Sequence, residues 1–428
     1  MNIRLSDLIL DHRTDDLHSV TDPTPARFPA VAAQDLAVLE AQYDGAIDRV
    51  LHSLSGVAAR CARERAEASG LLLELEAQPP LRQRLLIHNR RFHTWGLLTA
   101  LLERSRAEAF LEPRRGEHWA ELAIEQAEHL DLALYQPALI ADMKGRALSY
   151  LGNARRMRSD LSGAEEAFSR AAVQLRRGSR QPMERALLHE LKASLRTDQR
   201  RFEEAMHLLR RAIDIFDELG EQHRAGRCMV QMSTVLDYAG LPERSIPLLF
   251  AALPLIDAER EPRLLLCARH NLIEYLTESG RLLEAEVLLA ESWSLYARFP
   301  EPWARDRRRW VQGKVAHGLG RFAEAESELL AARDGFVASG VAYDAALVSL
   351  HLASLYAQQG RTGDLRQLVR EMLPIFVSRQ IHQEALAALA FFRQAVEMEA
   401  ATLHLVSSVA GYLRRAQHDS GLRFEAPH

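Results

Sequence analysis

A length of 428 residues accommodates two or three ordinary domains or one long repeat array. With 54 Lys+Arg against 58 Asp+Glu, the net charge of −4 excludes a global pull on nucleic acid or anionic lipid, so any basic patch has to be local. Cys61, Cys228 and Cys267 lie far apart and form no Cys-x-x-Cys pair, which argues against a zinc site or a disulfide framework and fits a reducing compartment.

In chain order, residues 1–33 open with apolar residues broken by Arg4, Asp7 and Asp11, which offers no signal-peptide core. Pro23, Pro25 and Pro29 then sit in a polar stretch with few large apolar residues, and the segment reads as a flexible tail. Residues 34–131 form a predicted N-terminal helical region. Leu36, Leu39, Tyr43, Ile47, Val50, Leu51 and Leu54 recur at helical spacing, with Gly56 as a candidate interruption. Pro79 and Pro80 end this pattern and open a second helix, predicted to run unbroken from Leu81 to about Phe110, where Pro113 stops it. A shorter helix follows between Gly116 and Asp131, with Ala120, Ala123 and Ala127 along it.

From 132 to 381 the sequence repeats. Gly240, Gly280, Gly320 and Gly360 stand 40 residues apart, each where a first helix must stop and reverse through a positive-φ residue. Small residues recur in the second helix at Ala164, Ala205, Ser245, Ala285 and Ala325, with Leu365 last. A second small set follows seven positions on, at Ala171, Ala212, Ala252, Ser292 and Ala332. Between them lie Phe168, Leu209, Leu249, Leu289, Leu329 and Val369. Two helices approach closely only where side chains are small, so these positions mark hairpin contacts. Phe216, Ile256, Tyr296, Phe336 and Phe376 close each unit and are placed to seal it against the next. Acidic residues such as Glu203, Glu243, Glu284 and Glu324 open the second helices, where the helix dipole favours them. Residues 382–417 read as two capping helices and 418–428 as a tail, in which Leu422 and Phe424 are the residues able to dock, the array's own groove included.

Leu148-x-x-Leu151-Gly152-x-x-Arg155, followed by Ala164, Phe168 and Ala171, resembles a tetratricopeptide repeat. The unit here is 40 residues against the family's usual 34, and later copies replace the Leu-Gly pair, as with Leu272-Ile273. The resemblance implies an all-α fold, a right-handed α-solenoid of antiparallel helical hairpins. It also implies a concave groove lined by first helices, where extended peptides lie in that family. Carried onto this sequence, the groove positions are Arg146, Asn153, Arg156, Ser194, Arg227, Thr234, His270, Glu274, Arg307, Trp310 and Lys314. Arginine and asparagine can donate to a carboxylate or a peptide backbone, and Trp310 supplies a flat apolar anchor. Solvated helix faces carry such residues too, whether or not anything binds them.

No phosphate-cradling glycine loop, His-Glu-x-x-His or Gly-x-Ser-x-Gly elbow occurs, so no catalytic residue, metal or cofactor is predicted. His88/His93 and His223/His270 come nearest to pairs among 17 scattered histidines. Cys228 and Cys267 fall at nearly equivalent places on adjacent first helices and read as small buried hydrophobes. Arg305-Asp306-Arg307-Arg308-Arg309 lies in a helix, its arginines distributed around the axis beside acidic neighbours, which argues against direct nucleic-acid binding. With no membrane-length apolar run, the expectation is a cytoplasmic protein. Its predicted role is a protein-protein interaction scaffold taking a peptide or protein segment in the groove. The alternative is a peptide- or ligand-sensing regulator that controls a partner effector or transcription regulator. Peptide-sensing bacterial regulators of similar architecture carry a separate DNA-binding or phosphatase module. Here only residues 35–110 are available for one, and they lack a helix-turn-helix pattern. Those N-terminal helices are also the candidates for contact with a second partner or another copy.

Overall fold

A computed structural model describes residue 56 and residues 59–377, 383–397, 402–416 and 422–425. The predicted tail over 1–33, the amphipathic stretch over 36–54 and the side chain of Phe376 lie outside the described residues. Two compact units are present, one comprising the chain up to Gln199 with Arg210–Ile215, the other Arg200–Leu209 and everything from Phe216 onward.

Among the described residues every regular element is helical. In the first unit, α1 covers 59–76 and is followed by α2 (Pro80–Leu86), α3 (Trp95–Leu111), α4 (Pro113–Glu128), α5 (Pro137–Met157), α6 (Leu161–Arg177) and α7 (Pro182–Asp198). The helix α8 (Phe202–Glu218) contributes residues to both units. The second unit continues with α9 (Gln222–Tyr238), α10 (Ser245–Ala252), α11 (Pro262–Glu278), α12 (Leu282–Glu291), α13 (Trp293–Ala297), α14 (Pro302–Gly318), α15 (Phe322–Ala338), α16 (Ala342–Gln358), α17 (Thr362–Val377), α18 (Gln383–Glu397) and α19 (Leu403–Ala416).

First helices begin at Pro182, Gln222, Pro262, Pro302 and Ala342, in step with the 40-residue sequence period. Proline suits three of these starts because its missing N–H would have no helical partner there. Each reversal is a left-handed cap. The amide of Gly240 donates to Asp237 O at 2.9 Å and that of Leu241 to Leu236 O at 2.8 Å, and the same pair of bonds recurs at Gly280, Gly320 and Gly360. Their φ values lie between +66° and +77°; Arg200, one period earlier, takes φ +60° without being glycine. A β-carbon added at Gly320 would meet nothing within 4 Å, so the requirement for glycine there is conformational alone. We expect Gly320→Ala to destabilise the second unit by about 1 kcal/mol, and Arg180→Gly, at an exposed site with φ +60°, to stabilise the first by a smaller amount. Urea midpoints check both signs.

The small residues do what the period implies. Ala164, Ala205, Ser245, Ala285 and Ala325 are all fully buried, as are Ala171, Ala212, Ala252, Ser292 and Ala332. At Gly152 a β-carbon would fall 2.9 Å from the Phe168 ring, which is why the Leu-Gly pair tolerates no side chain there. Phe216, Ile256, Tyr296 and Phe336 are buried at the unit ends. Departures from the ideal hairpin have local causes: Pro254 removes a backbone donor and ends α10 early, leaving a 3-10 turn over Leu253–Leu255.

The predicted helix from Leu81 to Phe110 is broken. Asn89 caps a 3-10 turn at Arg90–Phe92, and Thr94 caps α3 through Leu97 N at 3.2 Å. Glu64 on α1 also holds the amide of Trp95 at 2.8 Å, and buried Gln126 on α4 donates to the carbonyls of Phe92 and Thr94 at 2.8 and 3.0 Å. Side chains 31 and more residues away hold this turn, so helical periodicity alone misses it. The cysteine expectation is corrected as well: Cys228 is buried but Cys267 is exposed. The 40-residue period pairs Cys228 with buried Ala268 and places Cys267 in register with Arg227, on the open face.

At the C-terminus, α19 packs chiefly against α16 and only secondarily against its neighbour α18. Val406, Val409, Leu413 and Ala416 join the core formed by Leu350, Leu352 and Leu355. The Tyr412 hydroxyl donates to Leu422 O at 3.0 Å and its ring meets Phe424 at 5.1 Å, so the described part of the tail docks on α19 itself.

Candidate functional site

Nearly every basic side chain expected in the groove is engaged with an acidic residue about one period away. On the first unit, Arg146 of α5 forks onto Glu184 of α7, donating through Nε at 3.0 Å. Arg156 donates to Asp198 at 2.8 Å and to the buried Asn153 at 3.2 Å. Ser194 lies half-buried on α7. In the second unit Arg227 meets Glu261 at 2.5 Å, where His223 also approaches at 3.1 Å. Arg307 of α14 donates to the buried Asp344 of α16 at 2.9 Å. Lys314 bridges Glu274 and Glu278 of α11 at 2.8 and 3.0 Å. These pairs tie successive first helices together as a charge ladder, so much of the predicted polarity is internal to each array. The two units carry separate stretches of it.

Four predicted residues of the second unit converge. Thr234, Glu274, Arg307 and Trp310 line one cavity of about 250 Å³, joined by Asp237, Glu278 and Asp344 from the first helices and by Arg414 and Arg415 from α19. Trp310 is held edge-on to Phe336 and donates its indole N–H to His351 at 3.0 Å, which makes it a fixed wall and not a free anchor. His270 stands behind, bonded to the Tyr296 hydroxyl at 2.8 Å; burial pushes its imidazole down to about 4, so it is neutral at physiological pH.

The cavity lining sets four carboxylates, Asp237, Glu274, Glu278 and Asp344, against four arginines, Arg200, Arg307, Arg414 and Arg415. Burial opposes charge on Glu274, but Lys314, with His270 and Arg414, outweighs it and holds the carboxyl well below the usual range. Lys314 is only 8% exposed, and the same pairing overcomes burial and keeps it protonated. Arg414 donates to Glu278 at 2.5 Å. The Asp237 carboxylate receives no hydrogen bond from the described residues; burial and the neighbouring Glu274 and Glu278 push it up to about 6 against the opposing pull of Arg414 and Lys314.

Asp237 and Glu278 escaped the sequence reading although a helical-face rule reaches them, three residues beyond Thr234 and four beyond Glu274. Arg414 carried no such signal: it is 136 residues from its partner. Of the histidines, His88 and His93 both meet His129, with ring centroids 4.7 and 5.0 Å away. Among the described residues no cluster of histidine, cysteine, aspartate and glutamate is arranged to hold a metal ion. None of the described helices is long and apolar enough to cross a membrane.

Stacked hairpins with buried small residues and left-handed caps at a fixed period define a tetratricopeptide-like repeat protein, and similar solved structures agree. Apo RapI is 15% identical, covers 86% of this chain and 99% of its own, and gives a TM-score of 0.56. A Rap protein complexed with Competence and Sporulation Factor is 12% identical over 75% of this chain and 87% of its own, with a TM-score of 0.54. The apo quorum sensor NprR from B. thuringiensis is 14% identical over 75% and 93%, with a TM-score of 0.51. At these identities the likeness is one of fold. No protein-family model matches the chain, and no curated protein matches it in sequence.

Proposed function

We propose that this is a regulatory binding protein and not an enzyme: the second unit takes a peptide segment that presents a cationic group, and occupancy controls a partner. The observation carrying this reading is Asp237, a half-buried carboxylate without a hydrogen-bond partner among the described residues, facing a cavity walled by first helices. A carboxylate raised by burial and like charges gains most from an added cation. Fold likeness to a Rap protein bound to Competence and Sporulation Factor and to the quorum sensor NprR supports a peptide-responsive role. The scaffold and sensor alternatives share this binding step and differ only in whether the array changes on occupancy.

Thermal-shift screening of the full chain against free-amine pentapeptides to heptapeptides is expected to find stabilisation by Arg- or Lys-containing members. Their affinity should fall at least tenfold in Asp237→Asn. It should also weaken in the unmodified protein as pH drops below about 6, where Asp237 gains its proton. The sign for the unliganded protein is opposite. A carboxyl raised from 3.8 to about 6 in the folded state loses stability as pH rises through that interval. Asp237→Asn alone should therefore melt higher than the parent at pH 8, which separates lost binding from misfolding. A flat screen, or affinity indifferent to Asp237→Asn, would dismiss the assignment.

A further inference from the structure

A second recess in the same unit shares no lining residue with the cavity. It lies at the turn from α13 into α14 and measures about 210 Å³, with Trp293, Tyr296, Phe299 and Pro300 as its floor and Arg305 and Arg308 on its rim. Its lining contains two arginines and no carboxylate. Trp293 is 54% exposed, an unusual fate for tryptophan in a monomeric surface. The Arg308 guanidinium lies 4.2 Å from the centre of the Trp293 ring. Arg263, nearby, packs over both Phe299 and Trp303, at 5.8 and 5.0 Å.

An arginine held against an aromatic face is pre-oriented, with its N–H edge free to meet a planar anion. Arg308 uses one bond, to Gln312 at 2.9 Å, and Arg305 is tied to Asp306 through Nε at 3.0 Å. The arginines of the 305–309 run are not spread evenly around the axis as expected: Arg305, Arg308 and Arg309 share one face of α14 by their i, i+3, i+4 spacing, and Arg307 alone lies opposite. The floor is the size and polarity of a seat for one apolar side chain, while the rim donates in the manner that matches carboxylates.

We propose that this recess docks an acidic segment of a partner protein, one apolar residue seated on the aromatic floor and flanking carboxylates clamped by Arg305 and Arg308. A single-stranded nucleic acid shares the negative charge but stacks its bases on open aromatic faces. Here a guanidinium already lies over Trp293 and over Phe299, which favours the peptide.

The test uses the full chain and an array of fluorescein-labelled heptapeptides, each with one Leu, Phe or Trp flanked by Asp and Glu, read by fluorescence polarisation. Saturable binding is expected for a subset. Replacing the central apolar residue by Ser, or the acids by Lys, should remove it, and Arg305→Glu and Arg308→Glu should each lower affinity at least tenfold, with Arg308→Glu, which breaks no ion pair among the described residues, melting like the parent. Trp293→Ala should weaken binding with the charge unchanged. Asp237→Asn should leave it intact, so this surface stands or falls separately from the cavity. Absence of saturable binding, binding that survives both arginine reversals, or tighter capture of a labelled oligo-dT than of any acidic peptide would overturn the proposal.

Discussion

Replacing Lys314 by alanine is expected to destabilise the second unit by about 3 kcal/mol, because it removes the buried ammonium that half-buried Glu274 is paired with and leaves Glu278 to Arg414 alone. Lys314 is 8% exposed and its ammonium touches both Glu274 and Glu278. Without it, Glu274 keeps the burial that opposes ionisation and loses the partner that offsets it. The pH dependence follows. A carboxyl whose folded pKa is depressed contributes stability above its unfolded value of 4.5, and that stability disappears as pH falls toward the folded value. The penalty in Lys314→Ala should therefore be largest near pH 7 to 8 and shrink toward pH 4, where the orphaned carboxyl protonates at little cost. Pairing Lys314→Met with Glu274→Leu should recover much of the loss, since apolar residues of similar volume need no counter-charge. Urea titrations at pH 4.5 and 7.5 decide the matter; a loss independent of pH would mean that Lys314 acts by packing alone.

Gly96→Ala should be the most damaging single change in the first unit, at about 3 kcal/mol, the upper end of what overpacking costs. Helix propensity alone predicts the reverse sign, a gain of about 1 kcal/mol on replacing glycine within a helix. The close approach of α1 decides against propensity. A β-carbon at Gly96 would drive into the Glu64 carbonyl and stand 2.9 Å from Arg65 N, both backbone atoms with no freedom to turn aside. To make room, α1 has to withdraw, and Glu64 then loses its bonds to the amides of Trp95 and Gly96 and to the Tyr135 hydroxyl at 2.6 Å. Hydrogen exchange should show the amides of 59–76 and the start of α3 losing protection together. Exchange unchanged in α1 would sink the explanation.

Both sites show where reading the sequence stops. The period of 40 and the alternation of small and large residues made the hairpins legible, because close helix approach constrains every unit in the same way. A shared register was legible: Thr234, Glu274 and Lys314 recur at 40-residue steps, and Thr234, Glu274, Arg307 and Trp310 line one cavity. Their roles were not legible. Arg146, Arg156, Arg227 and Arg307 look alike in sequence to residues awaiting a ligand, yet each meets a carboxylate of the next first helix or its cap. Such pairs form only when neighbouring units stack, so a pattern within one helix cannot report them.

What the sequence determined by itself was the local and periodic part: the all-helical hairpins, their glycine reversals, and which face of each second helix is buried, because these follow from contacts that repeat at a fixed interval. The tertiary structure alone decided the rest. It broke the predicted helix at 81–110, through Glu64 and Gln126 reaching in from other helices. It turned Cys267 outward, and it brought Arg414 to Glu278 across 136 residues, leaving Asp237 as the carboxylate without a hydrogen-bond partner among the described residues of the cavity. Those are contacts between distant segments with no period to announce them, and they set which of the cavity's carboxylates are paired with a cation and which receives no hydrogen bond from the described residues.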